Sequence, residues 1–177
     1  GQLRGRENFV VKPASGSGGD GIVVIGKRTA GGWATVKGRE VATHEMRQHL
    51  ANITFGCFSK EMEDRILIEE RIEPDALYQS FWSDGVCDLR VIVLRGRPIL
   101  SMVRVPTHRS GGRANLHQGG IGVAVDIREG VTYRAISRGE PVEIHPESGE
   151  ALIGRELPEW KKCLEVALGA ASAVPLS

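Results

Sequence analysis

The sequence predicts an α+β fold with mainly antiparallel sheets. β-branched runs recur in pairs: Phe9-Val10-Val11 with Ile22-Val23-Val24-Ile25, and Cys87 to Leu94 with Ile99 to Val105. Glycine-rich or tight turns join each pair, and short connections of this kind join antiparallel neighbours. Two other stretches carry a helical period, from Thr43 to Gly56 and from Leu157 to Ala173. At 177 residues, with 41% hydrophobic and 25% charged side chains, the chain suits one globular domain or two small lobes.

Composition removes several function classes. With 23 basic and 22 acidic residues the net charge is +1, which gives no support for bulk nucleic-acid binding. Aromatic side chains make up only 5%, which weakens a base-stacking reading. No apolar run approaches the roughly 20 residues that span a bilayer, and no signal peptide opens the chain. Cys57, Cys87 and Cys163 form no C-x-x-C pair, which argues against zinc and for reduced thiols in a cytoplasmic protein.

Gly1 to Asn8 is a polar lead-in. The first two runs read as strands because Val and Ile fit a pleated, half-buried surface. Between them lie Ser15, Gly16, Ser17, Gly18, Gly19 and Gly21. Glycine lets backbone N–H groups turn toward an anion with no Cβ in the way. Lys12, just before Pro13, ends the first strand beside this loop. The loop is either a flexible turn or a phosphate site. It is not a P-loop, since no Gly-Lys-Ser/Thr leads into a helix. It is not a dinucleotide fingerprint, since a strand follows it.

Thr29 to Gly32 reads as a turn, Trp33 to Val36 as a short strand, and Lys37-Gly38-Arg39 as another turn. In the first helix Met46, Leu50, Ile53 and Phe55 make the apolar face, Thr43 caps the start and Gly56 stops it. His44 and His49 are expected in solvent. Ile66-Leu67-Ile68 reads as a strand that runs into Glu69, Glu70, Arg71 and Ile72 and ends before Pro74.

In the later hairpin, Asp88 and Arg90 share a face because strand side chains repeat every two residues, and Arg104 lies across from them. The cluster is either a surface salt-bridge ladder or a phosphate site for forked guanidinium donors. Thr107 to Val125 is long, polar and glycine-rich, a pattern of functional loops. Arg113, Asn115 and His117 there can contact phosphate or substrate, and His117 can equally bond backbone. No serine sits in a nucleophile elbow, and His108 and His117 lack a close metal-ligand spacing. Ile121 to Ile127 is a strand with Asp126 as a strand-end residue. Arg128 to Ile153 reads as a small hairpin insertion, in which His145 has no evident partner. Leu157-Pro158-Glu159 opens the last helix, Trp160, Leu164, Ala167 and Leu168 face inward, and Pro175 stops it.

Lys12-Pro13, Gly16-Ser17-Gly18-Gly19-x-Gly21-Ile22, Asp88-Leu89-Arg90, Arg104, and Arg113-Ala114-Asn115-Leu116-His117-Gln118-Gly119-Gly120 occur in an order that resembles the ATP-grasp superfamily. Within it the likeness is to the group described as α-L-glutamate ligase-related or sugar-transfer-associated ATP-grasp proteins. The resemblance implies two α+β lobes: residues 1–73 as the small lobe with the phosphate loop, and residues 74–177 as part of the larger lobe. It implies an ATP-dependent carboxylate–amine ligase working through an acyl phosphate on an amino acid or peptide. Lys12 would bind the α- and β-phosphates. Ser15, Gly16 and Gly21 would join the nucleotide site, with Ser17, Gly18 and Gly19 over the β- and γ-phosphates. Glu70 would take the adenine amino group, Arg71 and Ile72 would give backbone contacts, and Glu69 or Asp75 would reach the ribose. Arg90 and Arg104 would steady the transferring phosphoryl group, Arg113 and Asn115 would face the same pocket, and Asp88 would stand beside them in the nucleotide site.

The family also implies Mg²⁺, held by a strand-borne Asp and a Glu-x-Asn segment. These ligands are expected beyond Ser177, so no metal ligand is assigned here. Both ends of the sequence look like cuts, which makes the expected chain a fragment, inactive alone. A non-catalytic nucleotide-binding module and an ATP-grasp kinase stay open as alternatives, as does homo-oligomerisation.

Overall fold

The structure, a computed structural model, describes residues 3, 5–60 and 62–174. Part of the lead-in (Gly1, Gln2 and Arg4) and the expected helix stop Pro175 lie outside the described residues. The chain divides into two compact units, Gly1–Glu73 and Pro74–Ser177. Each holds one five-stranded antiparallel sheet and its own core.

In the first unit, β1 (Phe9–Pro13) pairs with β2 (Val23–Arg28), Phe9 opposite Ile25. Next come β3 (Gly32–Thr35), β4 (Glu40–Ala42), helix α1 (Thr43–Thr54) and β5 (Ile66–Glu70), in the sheet order β4-β3-β2-β1-β5. Alternation along β1 buries Phe9, Val11 and Pro13 while Val10 and Lys12 face the other way. Phe9 meets Trp33 edge-on at 6.1 Å, and Met46, Leu50 and Ile53 of α1 pack with them. Burial of each such large side chain contributes about 1.5–3 kcal/mol.

Helix α1 begins differently from expectation. Ala42 is the cap residue; its N–H donates to the Glu45 carboxylate at 2.8 Å, and Thr43 instead spends its hydroxyl on the Gly31 carbonyl at 3.1 Å. Phe55, expected on the apolar face, is 76% exposed because it sits at the C-cap, past the helical stripe. Gly56 does end the helix: its φ is +78°, and a Cβ there would lie 2.3 Å from the Met62 carbonyl oxygen.

In the second unit, helix α2 (Ala76–Phe81) precedes the hairpin β6 (Asp88–Leu94) and β7 (Arg97–Val105). Arg95 and Gly96 make the turn, with φ of +50° and +71°. Two positive φ values give the turn whose twist matches an antiparallel hairpin. Strands β8 (Ile121–Val125), β9 (Thr132–Ser137) and β10 (Glu140–Val142) follow, and helix α3 (Trp160–Ala173) ends the unit. The sheet order is β10-β9-β8-β7-β6. Residues 128–153 are therefore not an insertion: β9 and β10 extend the main sheet, because Val123 and Gly122 pair onto Ala135 and Ile136.

One face of this sheet buries Val103, Val105, Ile121, Val123 and Ala135 against Phe81, Trp82, Leu152 and Trp160. Cys87 belongs to the same core; burial pushes its thiol up to about 12, and its Sγ–H points to the Tyr78 carbonyl at 3.6 Å. His145 is fully buried with partners on both ring nitrogens. Nδ1 accepts from Glu147 and Ser148 N–H at 3.3 and 3.2 Å, so Nε2–H donates to the Pro106 carbonyl at 2.9 Å. Its ring also stacks on Trp82 at 5.1 Å. Among the described residues no helix is long and apolar enough to cross a membrane.

Candidate functional site

The glycine loop of the first unit hangs from two fixed roots. At the first, Ala14 N–H donates to the Arg65 carbonyl at 2.9 Å, and Ser15 N–H donates to both Asp64 oxygens at 3.1 and 3.0 Å. Asp64 also accepts the Ser59 hydroxyl and, at 2.7 Å, the Arg65 N–H. The Ser59 hydroxyl first, and then the backbone donors Ser15 and Arg65, hold the Asp64 carboxyl below its ordinary range against the opposing effect of desolvation.

At the second root the Gly21 carbonyl accepts from His49 Nε2–H at 2.9 Å. Gly21 has φ +76°, and a Cβ there would lie 2.7 Å from the Phe58 ring. His49 and Phe58 themselves pack with ring centroids 5.4 Å apart. His49 is thus half-buried and bonded, not solvated as the sequence suggested.

Between the roots, Gly18 and Gly19 take φ of +66° and +81°. Among the described residues no hydrogen bond takes the N–H groups of Ser17, Gly18 or Gly19. Gly16 is pressed against Pro13, whose Cγ would be 2.4 Å from an added Cβ. A loop with anchored ends and unclaimed N–H donors suits an anion.

Lys12 stands on the adjoining strand. Val10 pairs with Glu69 and Lys12 with Leu67, so Lys12 and Glu69 share the open face as diagonal neighbours. Lys12 Nζ lies 2.6 Å from Glu69 Oε2. Glu70 pairs with Phe9 and so sends its side chain to the opposite face. Arg71 Nη1 reaches Asn8 Oδ1 at 3.3 Å, and Ile72 is 80% exposed.

In the second unit, Asp75 caps α2, accepting from Leu77 N–H at 2.8 Å. The open sheet face carries the polar cluster. Asp88 pairs with Arg104 in register, and Arg104 Nε and Nη2 donate to its two oxygens at 2.7 and 2.6 Å. This bidentate grip raises the Arg104 pKa further. Arg104 Nη1 also reaches Asn115 Oδ1 at 3.4 Å, and Asn115 Nδ2 donates to Gln118 Oε1 at 3.1 Å. Arg90 lies on the same face, opposite Met102, and is exposed. Arg113 is half-buried, its N–H donating to the Ser110 carbonyl at 3.2 Å. The loop that holds Arg113 and Asn115 is ordered by Thr107, whose hydroxyl donates to the Gly119 carbonyl at 3.0 Å. His117 is exposed in the single 3₁₀ turn Leu116–Gln118.

The glycine loop and Lys12 fit a nucleotide phosphate. Among the described residues no group of three His, Cys, Asp or Glu side chains is placed to hold a metal ion. Sequence reasoning missed His49, Phe58, Ser59 and Asp64, the residues that hold the loop. Asp64 is 49 positions from Ser15, and no local pattern signals that contact.

The model of a protein family described as sugar-transfer associated ATP-grasp matches residues 2–176. Searches of curated proteins and of solved structures return no match.

Proposed function

Since this chain belongs to the sugar-transfer associated ATP-grasp family, we propose that it works as an ATP-dependent ligase joining a carboxylate to an amine through an acyl phosphate. ATP-grasp proteins bind ATP, which supplies the phosphoryl group when bound. The observation that carries the reading is the glycine loop pinned by Asp64 and His49, with unclaimed N–H donors and Lys12 beside it.

In the first unit, the N–H groups of Ser17, Gly18 and Gly19 and the ammonium of Lys12 hold phosphate oxygens. Ser15, Gly16 and Gly21 set the loop's shape. The backbone of Glu70, Arg71 and Ile72 serves the adenine edge, and Glu69 or Asp75 the ribose. In the second unit, Arg90 and Arg104 neutralise charge on the transferring group, Asp88 fixes Arg104, and Asn115 and Arg113 face the same pocket. Placement and charge stabilisation are what phosphoryl transfer asks of a protein. The carboxylate oxygen attacks the γ-phosphorus and ADP leaves; the amine nitrogen then attacks the acyl carbon, phosphate leaves, and the nitrogen gives up its extra proton to solvent, leaving the amide.

The test is ADP and phosphate release by the full-length protein against panels of amino acids and peptides. Amine-dependent release of both, lost in Lys12→Ala, is expected. Phosphate retained on the product would make it a kinase, and nucleotide binding without turnover a binding module. Unchanged turnover in Lys12→Ala overturns the phosphate assignment.

A further inference from the structure

The open face of the second unit's sheet holds a cavity of about 690 Å3 over β7, β8 and β9. That is the size of small-molecule sites, which run from roughly 300 to 1,000 Å3. Its lining is unusual for a solvent-facing surface. Ile99, Leu100, Leu116, Tyr133 and Ile136 all line it, and each is at least 40% exposed. Isolated exposed apolar residues need no explanation, but several around one concavity do.

The floor follows from the register. Met102 pairs with Ala124, and Gly122 pairs with Ile136, so small residues of β8 lie between larger ones of β7 and β9. Leu116 hangs over Gly122, whose added Cβ would just touch it at 3.4 Å.

The ends of the cavity are cationic. Arg138, in the β9–β10 turn, lines it near Gly120 and Gly122, and Arg128 lines it at the other end of β8. Among the described residues neither guanidinium makes an ion pair. The one acid in the lining, Asp126, already accepts from Arg128 and Glu129 N–H at 2.8 and 3.1 Å through Oδ1. Arg104 stands on the same face, paired with Gly122.

We infer that this cavity binds a carboxylate with an elongated apolar body, the body on Leu100, Met102 and Ile136 and the charge toward Arg138. The inference rests on the proposed ligase reading, since it names the class of carboxylate that reading leaves open. Concavity and size favour a small molecule over a protein partner, and the cationic end favours an acid over a neutral lipid or sugar.

The test uses octanoate and octanamide to displace 1-anilinonaphthalene-8-sulfonate from the purified protein, without nucleotide. The acid is expected to compete about tenfold more strongly than the amide, equivalent to ~1.4 kcal/mol. Arg138→Asn keeps a residue suited to the turn and is expected to erase that preference. Ile136→Glu is expected to weaken both competitors while the circular-dichroism spectrum stays unchanged. Equal competition by acid and amide, an intact preference in Arg138→Asn, absence of dye binding, or dimers that bury the dye site would each overturn the proposal. Octanoate binding without any ADP release sinks only the ligase reading. Carboxylate-dependent ADP release with the same KM in Ile136→Glu sinks only the cavity assignment.

Discussion

The ammonium of Lys12 lies 2.6 Å from the carboxylate of Glu69. Both side chains are partly exposed, 33% and 51%, so the pair itself contributes at most about 1 kcal/mol. Its effect is on binding: a phosphate that takes Lys12 must compete with Glu69. Glu69→Gln is expected to tighten ADP binding, or to leave it within about threefold, whereas Lys12→Ala weakens it about tenfold or more. Calorimetric titration with ADP checks both. Weaker binding in Glu69→Gln would instead assign the ribose to Glu69 rather than to Asp75.

Asp64 predicts a pH signature. A carboxyl held low in the folded state binds its proton less readily there than in the unfolded chain. Its contribution is complete above the ordinary value of 3.8 and is lost as pH falls through the lower folded value. The stability gap between the protein and Asp64→Asn is expected to hold steady from about pH 7 to 5 and to close below about pH 4. Denaturant titrations across this range measure it. A gap that widens on acidification contradicts the assigned bonding. At neutral pH the same variant is expected to weaken ADP binding, because Ser15 loses its anchor.

Gly21 and Gly38 separate two costs. Both have φ near +80°, but a Cβ at Gly38 meets nothing within 4 Å, while one at Gly21 meets the Phe58 ring at 2.7 Å. Gly38→Ala is expected to cost only the left-handed backbone penalty, about 1–2 kcal/mol. Gly21→Ala is expected to cost more and to weaken ADP binding as well. Equal losses in thermal melts of the two variants would show that Phe58 yields freely.

Ser101 carries a buried hydroxyl, 3% exposed, with no hydrogen-bond partner among the described residues. Removing it relieves an unpaid desolvation, so Ser101→Ala is expected to stabilise by about 1 kcal/mol. That corresponds to a Tm rise of about 2–4 °C in a chain of this size. A lower Tm would mean that the hydroxyl is bonded in solution.

What the residues disclosed by themselves depended on distance along the chain. Strands β1, β2, β6 and β7 were legible because β-branched runs alternate or sit beside tight turns, as at Arg95-Gly96. The pairing of Asp88 with Arg104 followed from strand parity and one hairpin. Strand β4 and helix α2 were missed because three and six residues hold too little periodicity. Asp75 reads as a functional acid in sequence, and its cap bond to Leu77 appears only once the helix is seen. His49 and Asp64 were opaque for another reason. Their partners, Gly21 and Ser15, lie 28 and 49 positions away, and no local pattern encodes that contact. His145 reaches Pro106 across 39 positions and was hidden in the same way.

Cys87 makes the second unit its own chemical clock. Its thiol is sealed in the core and so poorly acidic that a disulfide reagent must wait for the unit to open. Cys57, exposed on the first unit, reacts without waiting and supplies the reference rate. With the half-buried Cys163 followed separately, the ratio of the two modification rates therefore times the breathing of one half of the molecule, with no residue replaced.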